Sequence, residues 1–252
     1  MKKLMKKPVL LLAAAAILLL ASSVGSTQAA LTYYSENYLA EVTVSNIGVT
    51  LLENGNVVDY RNYLENGKWD KKGAEDEVQP LTLLGEQEEL IPGKSYSEKI
   101  AVKNSGAIDT YVRVIITKSW RDADGKETTL TPAYIELNVP ANGDWVKDEN
   151  ASTYEREVYY YTKILPADNG KDDGSNVTSE LTDTFRINPI VAKELIQTTT
   201  DNVITYEYKY DGYQSVVEVE VDAVQTHNAK DAIKSAWGVD VTVAANGSLS
   251  LN

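Results

Sequence analysis

Apolar residues recur at every second position along much of this chain, with polar residues between them. Val42 and Val44, then Ile47, Val49 and Leu51, follow that spacing. Val112, Val114 and Ile116 alternate with Tyr111, Arg113, Ile115 and Thr117, and Val217, Val219 and Val221 alternate with Glu218, Glu220 and Asp222. Successive side chains of a strand point to opposite faces, so each run predicts a strand with one buried face. The stretches 158–161 and 204–210 add tyrosine-rich strands, in which rings pack while hydroxyls stay wet. Turn signals separate the runs: Asn54-Gly55, Asn104-Ser105-Gly106, Asp124-Gly125 and Asp211-Gly212. The last predicts a hairpin between TYEYKY and YQSVVEVEV. ENGKWDKKGAEDEVQ and PADNGKDDGSN read as polar surface loops.

One segment has helical spacing instead. In THNAKDAIKSAWGVDV, Ala229, Ala232, Ile233, Ala236 and Trp237 fall on one face. Asn228 is placed as an N-cap, Asp231 lies in the first turn, and Gly238 suits the stop. This helix is expected to lay Ile233 and Trp237 against a sheet. INPIVAKELIQ predicts a second, weaker helix from Pro189. Short strands, Gly/Asn/Asp turns and one or two short helices together predict a mainly β fold, an antiparallel β-sandwich of jelly-roll type.

The first thirty residues break this pattern. Lys2, Lys3, Lys6 and Lys7 precede an apolar run from Val9 to Ala21, which is shorter than the roughly 20 residues needed to cross a bilayer. Small residues follow, ending in Gln28-Ala29-Ala30. That is the pattern of a secretory signal peptide, cut after Ala29 or Ala30. Residues 1–29 are therefore expected to leave, and 30–252 to form a single β-sandwich domain. The mature protein is expected to be secreted, extracellular or bound to the cell surface, without a membrane anchor.

Charge and cysteine content narrow the function. The leader removes four lysines and no acid, taking the net charge from −13 to −17. Such a surface repels nucleic acid and anionic lipid. There is no cysteine, so disulfides, thiolate metal sites and cysteine catalysis are excluded. His227 is the only histidine, and neither H-E-x-x-H nor G-x-S-x-G occurs, so no catalytic residue is assigned and no enzyme is expected. Asp122, Asp124 and Glu127 resemble a fragment of a calcium loop, but the closing acid is missing and a plain hairpin turn is the better reading. Glu218, Glu220 and Asp222 would stand about 7 Å apart along one strand face. They read as a solvated face rather than a glycosidase pair.

Three stretches resemble the camelysin/TasA family: VGSTQAALTYYSENY at the leader exit, IAVKNSGAIDTYVRVIITKSW, and VEVEVDAVQTHNAKDAIKSAW near the end. The resemblance implies a jelly-roll subunit released by a type I signal peptidase. It also implies a place in the fibres of an extracellular biofilm matrix. Self-association, or assembly with a related matrix subunit, would follow by donor-strand exchange. The donor strand would lie between Leu31 and Val44, with Leu31, Tyr33, Tyr34, Tyr38, Val42 and Val44 as its packing groups, pairing in cis or in trans. Camelysin's peptidase activity does not carry over, because no zinc motif is present. A monomeric adhesin or carbohydrate-binding module is the alternative that the many tyrosines suggest, and a camelysin-type metallopeptidase is a further one that the resemblance leaves.

Overall fold

The computed structural model describes residues 47–64, 68–71, 81–83, 89–171, 173–201 and 203–252. All of them lie in the unit Asn46–Asn252. Ala29, Ala30 and the candidate strand residues Leu31, Tyr33, Tyr34, Tyr38, Val42 and Val44 lie outside the described residues.

In chain order the strands begin with β1 (Gly48–Glu53), β2 (Asn56–Tyr63), β3 (Trp69–Lys71), β4 (Ser95–Ser97), β5 (Ile100–Asn104), β6 (Thr110–Asp122) and β7 (Gly125–Glu127). They continue with β8 (Ile135–Asn138), β9 (Trp145–Lys147), β10 (Arg156–Tyr161), β11 (Thr184–Ile187), β12 (Leu195–Thr200), β13 (Val203–Tyr208) and β14 (Gln214–Gln225). A helix, α1 (Ala229–Trp237), precedes the last two, β15 (Val241–Val243) and β16 (Leu249–Leu251). All pairings are antiparallel, in sheets ordered β3-β2-β1-β5, β14-β6-β10-β9 with β7 on β6, β4-β11-β8, β12-β13 and β15-β16.

The fold is a β-sandwich. Leu51, Ile100 and Val102 of the four-stranded sheet, and Tyr96, Ile135, Phe185 and Ile187 of the three-stranded sheet, share one apolar cluster with Val112, Val114, Ile116, Val217 and Val219 of the five-stranded sheet. Full burial of each such side chain contributes about 1.5–3 kcal/mol. The other face of the five-stranded sheet is covered too. There Tyr111, Ile115, Val158, Tyr160 and Val224 meet Ala229 and Ile233 of α1, with Val241 and Leu249 of the β15–β16 ribbon. This corrects the expectation of one buried face for β6, which is buried on both sides. The near-continuous apolar run TYVRVIITKSW is the signature of such a central strand.

Turn chemistry explains which neighbours in sequence become hairpins. Asn54 and Gly55 both have positive φ, 51° and 80°, and close β1 onto β2 as a two-residue loop. Asn104-Ser105-Gly106 instead carries the chain between sheets, since β5 pairs with β1 while β6 pairs with β10 and β14. Asp211-Gly212 is likewise a turn without a hairpin. β13 pairs back to β12 and β14 pairs with β6. The helix expected from Pro189 stops as a 3-10 turn, Pro189–Ala192, and the chain extends into β12. Within ENGKWDKKGAEDEVQ, Trp69–Lys71 forms β3 rather than loop. The tyrosines of β10 are not wet: Tyr159, Tyr160 and Tyr161 are all buried.

Candidate assembly edge

β14 ends the five-stranded sheet, and its outer side is the feature that a partner chain could use. Its twelve residues pair with β6 in unbroken register from Gln214↔Arg121 to Gln225↔Thr110. Backbone groups of alternate residues face alternate sides of a strand. Val217 O accepts from Leu81 N on the outer side, while Thr226 N donates inward to Asp109 O. The outward N–H and C=O groups therefore belong to Val219, Val221, Ala223 and Gln225. Among the described residues nothing pairs with them. Unpaired groups in a row are a template for another strand.

The opposite margin of the sandwich shows a closed edge for comparison. β5 is sealed by the segment 176–182. Ile100 N and Val102 N donate to the hydroxyls of Thr182 and Thr178 at 3.2 and 3.0 Å, and Thr178 N and Leu181 N return bonds to Val102 O and Ile100 O. Buried Asn104 completes that seal. Its amide nitrogen donates to Ile108 O and Leu165 O at 2.8 and 3.1 Å, and its oxygen accepts from Gly106 N at 2.9 Å.

An overhang flanks the open edge. β1 lies against β14, with Val49 and Val221 on the same cluster. Beyond β1 the four-stranded sheet continues into β2 and β3, whereas β14 is the last strand of the five-stranded sheet among the described residues. The register places Arg61 opposite Val49, Lys71 opposite Arg61 and Trp69 opposite Tyr63. Residues opposed across a ladder share a face, so these four side chains lie on the core-facing side of the overhang. The Arg61 guanidinium sits 4.5 Å from the Trp69 ring centre, and Tyr63 meets the same ring edge-on at 5.0 Å. Trp69 remains 45% exposed.

At its other end the edge is held shut. Buried Leu81 and Leu83 join the main cluster, and Leu83 N donates to Glu53 Oε1 at 3.0 Å. Beside Glu53 lies Glu98, fully buried, with Oε2 accepting from Asn54 Nδ2 at 3.3 Å. Its Oε1 has no hydrogen-bond partner among the described residues. Burial, and then the neighbouring Glu53 carboxylate, push the Glu98 carboxyl up to about 7.

The remaining sequence candidates fall elsewhere. Asp122 Oδ1 accepts from Asp124 N and Gly125 N, and Glu127 Oε1 accepts from Thr129 N, so Asp122 and Glu127 are committed to their own turns. Among the described residues no three acidic or histidine side chains form a group that could hold a metal ion, calcium included. His227 is exposed in the turn before α1. Asn228 makes no side-chain cap, because it takes the left-handed conformation at φ 49° and offers only its carbonyl to Ala232 N. Glu218 and Asp222 are spent on ion pairs with Arg121 and Arg113 across the β14–β6 ladder. Ile233 is fully buried beneath α1, and Trp237 meets Tyr160 with ring centres 5.5 Å apart. The open edge itself carried no sequence signal, since which strand ends a sheet depends on distant pairing. No known protein family, curated protein or solved structure matches the chain.

Proposed function

We propose that this is a secreted structural protein of the cell surface or extracellular matrix, a fibre subunit or its accessory. It assembles when the N-terminal segment of one copy, between Leu31 and Val44, adds as a strand to β14 of the next. The observation that supports this reading is the row of backbone groups from Val219 to Gln225, which no described residue pairs, set beside an overhang with an exposed aromatic. The segment is suited to that place. Tyr38, Ala40, Val42 and Val44 alternate to give one apolar face. Glu36 lies on that same face and carries the charge opposite to Arg61 and Lys71. Two-layer packing also supports the jelly-roll form that the family resemblance implies.

The test compares three purified forms by light scattering and electron microscopy. One begins at Ala30, one begins at Ser45, and one begins at Ala30 with Val221→Pro. Proline at residue 221 removes an outward N–H and leaves the β14–β6 ladder its bonds. The first is expected to polymerise, while the other two stay monomeric and folded by circular dichroism. Polymerisation of the Ser45 form, or of the proline variant, would sink the mechanism.

A further inference from the structure

A second site lies on the opposite face of the five-stranded sheet, where α1 ends. There a shallow cleft of about 380 Å³ opens between the helix C-terminus and the β9–β10 connection. That volume falls in the range of small-ligand sites. Tyr160 and Val158 lie along it, Trp237 stands on one side, and Asp148, Asn150 and Arg156 line the other.

The aromatic side is held rigid before any ligand arrives. Arg113 Nε donates to Asp222 Oδ2 at 2.8 Å, and the same guanidinium lies 5.3 Å from the Trp237 ring centre. Tyr160 abuts Trp237 from below. The polar side is fixed as well: Asp148 Oδ1 accepts from Asn150 N and Ala151 N, both at 3.0 Å. Preorganised groups bind without the entropy cost of ordering them.

Beside the Asp148 carboxylate the cleft holds donors that the protein leaves little used. The exposed Arg156 gives a single bond, Nη1 to Ala151 O at 3.2 Å, and forms no ion pair with any described residue. The Asn150 amide and the Trp237 indole N–H have no partner among the described residues either. An aromatic side, unused donors and an arginine that no described acid pairs with, in a chain of net charge −13, suit one ligand chemistry. That ligand has a C–H face for the ring, oxygen acceptors for the donors, and a carboxylate for the guanidinium.

We infer that this cleft binds a saccharide bearing a carboxylate, a uronic acid residue, with Arg156 on the carboxylate and Trp237 against the sugar ring. The site uses none of the outward backbone groups of β14, so the protein can hold an acidic polysaccharide whether or not it polymerises.

The experiment follows the Trp237 indole N–H by heteronuclear NMR while the purified protein is titrated with trigalacturonate, at moderate salt to screen the acidic surface. Maltotriose serves as the neutral control. A saturable shift with trigalacturonate is expected, with at least tenfold weaker binding of maltotriose and of Arg156→Ala and Asn150→Ala. Trp237→Phe, which keeps a ring against Tyr160, should weaken binding as measured by calorimetry. No saturable shift, equal binding of the two trisaccharides, or unchanged affinity of Arg156→Ala would overturn the assignment.

Discussion

Two buried polar residues govern local stability in ways their neighbours in sequence do not announce. Glu98 sits in SYSEK, a stretch that reads as surface, yet its side chain is fully buried beside Glu53. Its folded pKa of about 7 lies above the ordinary 4.5, so the folded state holds a proton that the unfolded chain releases. Stability from this group is therefore intact below about 4.5, falls as pH rises from 4.5 to 7, and is flat above. The span corresponds to about 3 kcal/mol at most, at 1.36 kcal/mol per pH unit. Urea unfolding of Glu98→Gln should show that slope removed, with a gain of roughly 1–3 kcal/mol at pH 8 and little change at pH 4.5. Asn104 reads as a turn residue in the sequence, but it is the last residue of β5, paired with Val49. Its larger role, bonding the carbonyl of a distant segment as well as that of nearby Ile108, was not legible, because Leu165 is sixty-one positions away. Asn104→Ala strands those carbonyls in the interior and should cost about 2–4 kcal/mol in the same measurement.

Among the elements, strand type was readable and strand partnership was not. The period of two located β1, β6 and β14, tyrosine-rich runs located β10 and β13, and Asn54-Gly55 marked the first turn. Asn104-Ser105-Gly106 and Asp211-Gly212 offered the same turn chemistry. They do not make hairpins, since β5 pairs with β1 and β14 with β6. The β12–β13 ribbon illustrates the other limit. Its alternation was visible in ITYEYKY, but every residue of both strands is exposed. With no buried face, its hydrogen bonds open without disturbing the core. Amide exchange in β12 and β13 should run at least a hundredfold faster than at the centre of β6, measured by mass spectrometry. α1 belongs to the opposite category. Ile233 anchors it with no exposure, so Ile233→Ala should cost about 2–5 kcal/mol in thermal or chemical unfolding.

For the whole molecule, acidity sets the terms on which copies meet. A surface this negative slows encounter between like copies, and salt shortens the reach of that repulsion to about 8 Å at physiological strength. Polymerisation through the β14 edge should accordingly start several-fold faster at about 150 mM salt than at about 10 mM, in a light-scattering time course. The pairing of β6 with β14 has a further consequence, for the order in which the protein can form. Arg113 and Asp222, bonded across that ladder, stand 109 positions apart in the chain. A ribosome adding roughly 5–20 residues per second needs about 5–20 s to make the stretch between them. Throughout that interval the longest strand lacks its longest neighbour, and the chain is left unfinished and threadable until nearly its last residue has emerged.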